Sequence, residues 1–172
     1  MIVTSCIESL IIADHFNPDI SSLILNNSLI SLKQIDIGND CFENVNQFVI
    51  DGLNALESLI IEEGSFELDD ENSRGSSCLI MNCDQLKEIH IGRRSFYWYE
   101  SFELKNLPSL ISIQLDRHAF MKCHSIVFES KNDESDLTQL QSITLSEGAL
   151  QGDTHTIESN VLIMKSMNDN DD

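Results

Sequence analysis

The chain has 172 residues, of which 41% are hydrophobic and only two are proline, and its formal net charge is −19. This composition excludes a disordered chain, and the length suits one domain with a sizeable core. Such a negative field repels phosphate backbones and anionic lipids, so we expect no binding to nucleic acid. No stretch approaches about 18 uninterrupted apolar residues, so we also expect no insertion into a membrane.

The amino-terminal residues lack a positively charged region, and Glu8 and Asp14 interrupt the first apolar run. No cleaved secretion signal is therefore predicted. Five cysteines, an odd number, do not suit a disulfide framework and favour a reducing compartment. Together these features favour a cytoplasmic protein, with the cell surface as the alternative location.

An apolar pattern with anchors at offsets 0, 3, 5 and 10 occurs six times, although the first copy ends one residue early. The clearest copy places Leu86, Ile89, Ile91 and Phe96 at these offsets. The copies begin near residues 7, 32, 56, 86, 110 and 140. Fixed periodicity of this kind is typical of proteins whose units pack against their neighbours. We therefore predict a single repeat domain over residues 1–172.

A second short apolar segment follows the anchors of each unit and alternates with a period of two, which is typical of β-strands. These segments are 23–25, 48–50, 78–80, 102–104, 126–128 and 161–163. Each unit would then contribute two strands, one to each of two short parallel sheets. Polar insertions at 67–77 and 130–136 lengthen two of the periods, and we expect them to be solvated loops.

The anchor offsets match the consensus L-x-x-L-x-L-x-x-N-x-L, although offset 8 lacks the usual asparagine. A small residue precedes phenylalanine in four units, as in Ser95-Phe96, and the segment from Ala119 to Ile126 is similar to A-F-x-x-C-x-x-L. The chain thus resembles the leucine-rich repeat family, and its BspA-type members most. The resemblance implies an all-β-leaning solenoid, a right-handed coil with two short parallel sheets, that serves in recognition.

The sequence predicts neither a cofactor nor a metal site. Cys78 and Cys83 occupy positions that hold phenylalanine and leucine in sister units, so we interpret them as core thiols rather than zinc ligands. No nucleophile elbow or glycine-rich phosphate loop is present. A hydrolase that uses His118, His124 and acids of the insertions is the catalytic alternative, and it requires these groups to converge.

Two features are candidate partner-binding surfaces. The first is the outward row of the first sheet, in which polar side chains suit adaptable recognition. By the repeat pattern this row is Ile11, Asp36, Ile60, His90, Gln114 and Thr144. The second is Tyr97, Trp98 and Tyr99, in a turn where other units carry polar or small residues. Aromatic residues of this kind either anchor an interface or pack over the neighbouring coil.

The middle residues of the second strands form a further stripe, apolar except for Glu103, that faces outward if the strands alternate. Apolar segments begin by Ile7 and persist to Met164 with no evident polar cap. The sequence therefore predicts a non-catalytic protein-recognition or scaffold module whose protein partner it does not identify. A self-assembling structural array, with end-to-end association, or a fragment of a longer surface adhesion protein is the alternative.

Overall fold

The computed structural model describes residues 6–129, 140–152 and 156–159, and within these ranges the chain forms twelve β-strands and no helix. Successive strands alternate between two sheets of six strands each. The first sheet contains β1 (Ser9–Ile12), β3 (Gln34–Ile37), β5 (Ser58–Ile61), β7 (Glu88–Ile91), β9 (Ser112–Leu115) and β11 (Ser142–Leu145). The second contains β2 (Ser22–Asn26), β4 (Gln47–Asp51), β6 (Ser77–Met81), β8 (Ser101–Lys105), β10 (Ser125–Glu129) and β12 (Thr156–Ser159).

Every strand pairs in parallel with the strand one unit away, so the predicted all-β architecture with two parallel sheets is confirmed. Five of the six predicted second strands fall inside observed strands. The sixth, 161–163, lies outside the described residues, and β12 precedes it in the chain. The insertion at 130–136 also lies outside them.

The insertion at 67–77 is only partly the solvated loop that the sequence predicted. Its acidic centre is exposed, whereas Leu68 is buried in the core and Ser77 begins β6. Turns inside it are closed by local hydrogen bonds, such as the Asn72 amide donating to Asp69 Oδ1 at 2.8 Å. Polar turn chemistry therefore holds the exposed part, and one apolar side chain attaches the loop to the core.

A column of aromatic rings runs through the interior, one from each of the middle units. Ring centroids are 5.1 Å apart between Phe42 and Phe66, 4.6 Å between Phe66 and Phe96, and 4.7 Å between Phe96 and Phe120. All four rings are buried and each pair is stacked. The prediction that these phenylalanines share one continuous interior is therefore confirmed.

The turn after each strand of the first sheet from β3 to β11 contains two residues with positive φ, at offsets 8 and 10, whereas the turn after β1 contains one, His15 at offset 8. Offset 8 holds Arg94 at 61° and Gly64 at 72°, and offset 10 holds Phe96 at 55° and Phe66 at 57°. A left-handed conformation costs a side-chain-bearing residue roughly 1–2 kcal/mol. At offset 10 the burial of the phenylalanine ring offsets this cost.

The small residue at offset 9 lies inside this turn and connects neighbouring units. Ser95 Oγ accepts a hydrogen bond from the Ser65 amide at 3.1 Å and donates one to the Glu62 carbonyl at 2.6 Å. Ser65 Oγ likewise accepts a hydrogen bond from the Cys41 amide at 3.0 Å and donates one to the Gly38 carbonyl at 2.7 Å. These buried hydroxyls satisfy main-chain groups of the preceding unit, which explains the small polar residue before phenylalanine.

Four cysteines, Cys41, Cys78, Cys83 and Cys123, are buried thiols. The interpretation of Cys78 and Cys83 as core residues is confirmed. Burial raises the pKa of Cys83 to about 11 and that of Cys123 to about 12, and it also raises the pKa of Cys78. These thiols are therefore protonated at neutral pH and pack as small apolar groups.

Candidate protein-binding surface

The outward row of the first sheet is continuous across all six strands. The strand register aligns Ile11 with Asp36, then Ile60, His90, Gln114 and Thr144, one residue from each strand. In the four middle strands the residues on either side of each central member are core residues, whereas the row itself is exposed or half-buried in all six strands. The structure therefore brings together the five strand residues predicted for this surface, with Ile11 at the end of the row.

A polar network occupies the part of the row formed by β7 and β9. His90 Nε2 lies 3.0 Å from Asp116 Oδ2 and 3.2 Å from Gln114 Nε2, and Gln114 Nε2 donates to Asp116 Oδ1 at 2.9 Å. The tautomer with hydrogen on Nε2 donates to Asp116, whereas the other tautomer accepts from Gln114 at Nε2, so which of the two contacts forms depends on the tautomer. The network gives this surface two hydrogen-bonding patterns.

Asp36 has a different environment, because the register places Ile11 and Ile60 on either side of it. Its Oδ2 accepts a hydrogen bond from Gln34 Nε2 at 2.7 Å. Its Oδ1 is shielded from solvent and accepts no hydrogen bond within the described part of the chain. A carboxylate oxygen that is shielded from solvent and has no donor is destabilising, so this position of the row carries a local energetic cost.

A shallow groove of about 450 Å³ lies where the strands β3, β5, β7 and β9 begin. It is lined by Lys33, Gln34, Glu57, Ser58, Lys87, Glu88, Ile111 and Ser112. Lys87 Nζ lies 2.6 Å from Glu57 Oε2, and Lys33 Nζ lies 2.9 Å from Glu8 Oε2. The hydrogen bond and charge of Lys87 lower the pKa of the Glu57 carboxyl. The groove is thus lined by charges that alternate along the stack of units.

The sequence contained a signal for this groove that analysis of the strands alone missed. The residue immediately after each first anchor forms its own row, which reads Glu8, Lys33, Glu57, Lys87, Ile111, Gln141. Acid and lysine alternate over the first four units, and neighbours in such a row lie one strand spacing apart, about 4.8 Å. Aligning the units at offset 1 therefore predicts the ion pairs.

The three aromatic residues of the turn between β7 and β8 have different environments. Tyr99 is fully buried, packs edge-on against Phe96 at 4.8 Å between centroids, and donates its hydroxyl hydrogen bond to the Val45 carbonyl. The prediction that Tyr99 is a surface anchor is wrong, because its side chain fills the core. Burial raises its pKa, so the hydroxyl remains a donor.

Tyr97 and Trp98 are half-buried and contact each other at 5.4 Å between ring centroids. Each ring has a cation near it: Arg94 Cζ lies 5.2 Å from the Tyr97 centroid, and Lys122 Nζ lies 5.6 Å from the Trp98 centroid. Trp98 also packs against the core. The pair is therefore an accessible aromatic patch at a turn, separate from the outward row of the first sheet.

The outward stripe of the second sheet is also aligned by register, from Ile24 through Val49, Leu79 and Glu103 to Val127. Ile24 is exposed and the others are half-buried, so this face is partly accessible as the alternation predicted. Glu103 is held by Lys105 Nζ at 2.7 Å. The predicted last member of the stripe, Leu162, lies outside the described residues.

Across residues 6–129, 140–152 and 156–159, no helix is long and apolar enough to cross a membrane. In the same ranges no three histidine, cysteine or acidic side chains are grouped so that they could hold a metal ion. The His118 ring lies edge-on to Tyr97, 6.5 Å away between centroids.

No protein-family model matches the chain, and no curated protein or solved structure matches it either.

Proposed function

We propose that the chain is a leucine-rich-repeat-like right-handed solenoid that recognises a protein partner through the outward face of its first sheet, without catalysing a reaction. The fold part of the proposal is supported by the offsets of the apolar anchors and by the constant register of both parallel sheets. Each unit buries its apolar face against its neighbours, as units of such arrays must.

The observation that carries the functional part is the outward row of the first sheet. It places six side chains of five kinds, one per strand, along a line of about 24 Å at a strand spacing of about 4.8 Å. A standard protein interface covers about 800 Å² on each partner, which corresponds to a patch roughly 28 Å across, so the row is long enough to span most of such a patch. The row combines aliphatic, amide, imidazole and carboxylate groups, which suits discrimination among protein side chains.

Electrostatics favour a basic partner. Six described cations, Lys33, Lys87, Arg93, Arg94, Lys105 and Arg117, already lie within 4.0 Å of a carboxylate. With a net charge of −19, the chain retains a large excess of carboxylates beyond these pairs. A negative field of this size accelerates the encounter with a positively charged protein and slows the encounter with an acidic one.

The proposal is tested by affinity capture with the chain as bait, followed by binding measurements on each captured protein. The variant with His90→Ala and Gln114→Ala removes two side chains from the outward row without removing a core residue. The matched control carries Val49→Ala and Val127→Ala on the outward stripe of the second sheet. We expect the first variant to bind at least about tenfold more weakly, which corresponds to about 1.4 kcal/mol, and the control to bind normally. Equal binding by both variants would place the interface elsewhere.

A further inference from the structure

In the described part of the chain, the first unit lies at one end of both sheets. There β1 pairs only with β3 and β2 pairs only with β4. Among residues 6–129, 140–152 and 156–159, no strand lies beside the main-chain amides and carbonyls on the other side of β1 and β2. Such edges are templates for pairing with another chain.

The same unit concentrates the apolar surface of the molecule. Seven large hydrophobic side chains are exposed among the described residues, and six of them lie between residues 7 and 30. They are Ile7, Ile11, Phe16, Ile20, Ile24 and Ile30. Phe16 contacts Phe42 edge-on at 5.6 Å and is 49% exposed, so the aromatic column ends at this surface with an uncovered ring.

Neither edge strand carries the features that usually protect an edge. The strand β1 has the sequence SLII and β2 has SLILN, without a charged residue or a proline. Natural edge strands commonly carry lysine, proline or a bulge that prevents pairing. At the opposite end of the first sheet, β11 has a polar threonine at its centre. Among the described residues, the amino-terminal end therefore carries most of the exposed apolar surface.

We infer that two copies of the chain associate through their amino-terminal end faces, with the edges of β1 and β2 pairing across a two-fold axis. A single extended peptide can pair with only one of the two edges. A second copy presents two edges with the same separation, so it can cover both at once. Closed two-fold dimers are also the commonest oligomers of soluble proteins.

Charge makes this association depend on salt. The first unit contains Glu8, Asp14 and Asp19 and has no lysine or arginine before Lys33. Two such faces repel each other, and salt screens the repulsion between exposed carboxylates, since the Debye length falls from about 10 Å at 0.1 M to about 3 Å at 1 M. The dimer should therefore be tighter at high ionic strength.

Sedimentation velocity on the full chain tests the inference over micromolar concentrations at low and high salt. We expect the mass to rise with concentration from 19.4 kDa to twice that value. When salt is added, this rise should occur at a lower protein concentration. A variant with Ile11→Lys and Ile24→Lys places at each edge a lysine, which opposes strand pairing because its charge would have to be buried there; the replaced side chains are 70% and 58% exposed in the single chain. Its dimer should dissociate at least about a hundredfold more readily.

The matched control is Thr144→Lys, which adds the same charge to the same row at the opposite edge. It should dimerise like the unchanged chain, and circular dichroism verifies that the variants fold. If the double variant does not fold, Ile11→Lys alone replaces it. Hydrogen exchange of the β1 and β2 amides gives an independent readout, because it should be slower at protein concentrations above those at which dimers form than at concentrations below them. A single-chain mass at every concentration overturns the inference. Masses beyond two chains, or sensitivity to Thr144→Lys, would indicate head-to-tail stacking and also overturn it.

Discussion

Replacing Phe96 with alanine tests whether the aromatic column is the continuous core of this molecule. The Phe96 ring is fully buried and is stacked between Phe66 and Phe120 at 4.6 and 4.7 Å. A phenylalanine buries about 150–250 Å², which at about 25 cal/mol per Å² corresponds to roughly 4–6 kcal/mol. The alanine methyl recovers about 1 kcal/mol of this, since it is roughly one buried carbon. We therefore expect the free energy of unfolding to fall by about 3–5 kcal/mol.

The matched control is the same substitution at the end of the column. Phe16 is 49% exposed and has one aromatic neighbour, Phe42. Removal of its ring leaves no enclosed cavity, so Phe16→Ala should cost only about 1–2 kcal/mol. Urea unfolding followed by circular dichroism gives both values, because the midpoint shifts at constant slope when only stability changes. Equal losses for the two variants, or a loss below about 2 kcal/mol for Phe96→Ala, would refute the continuous-core reasoning.

Three further predictions concern buried and half-buried groups. The folded-state pKa of Cys83 is raised from 9.0 to about 11, so the contribution of its thiol to stability is complete below pH 9 and is lost as the pH rises toward 11. Between these pH values, the free energy of unfolding of the Cys83→Ala variant should fall by about 1.4 kcal/mol less per pH unit than that of the unchanged chain, as measured by unfolding at a series of alkaline pH values. Ser95→Ala should lower the free energy of unfolding in urea by only about 1 kcal/mol, because the Ser65 amide that loses its acceptor can donate to the Glu62 carbonyl instead. A decrease above about 3 kcal/mol would contradict this rearrangement. The Tyr97–Trp98 patch is the second candidate surface beside the outward row, so Trp98→Ala tests it independently: weaker partner capture, with the unfolding free energy lowered by about 1–2 kcal/mol, would add this patch to the interface. Unchanged capture would mean that the ring serves packing alone.

The strands were predictable because their positions depend on local patterning. Period-two alternation and the repeated anchor offsets determine which residues face the interior, and the parallel register follows from pairing equivalent positions of neighbouring units. The outward row was predictable for the same reason, since residues such as His90 lie between two buried anchors. The stacked phenylalanines followed once the units were aligned, because equivalent residues of neighbouring units are neighbours in space.

The parts that sequence analysis missed depend on contacts between distant residues. Tyr99 belongs to the core because its hydroxyl reaches the Val45 carbonyl, 54 residues earlier in the chain. Leu68 lies in a polar insertion, yet its side chain is part of the hydrophobic core. The left-handed conformation of Phe96 was also not predictable, since an isolated phenylalanine disfavours it and only the packed turn imposes it.

The contact between Tyr99 and Val45 changes how this chain should unfold. Arrays of repeats are usually described by the stability of each unit and its coupling to immediate neighbours alone. Here a side chain of the fourth unit bonds to the backbone of the second and bypasses the third. Melting of the second unit therefore disturbs the fourth directly, so an Ising description of this chain requires a next-nearest-neighbour coupling. Hydrogen exchange should then show the second to fourth units opening as one cooperative block, while the outer units fray independently.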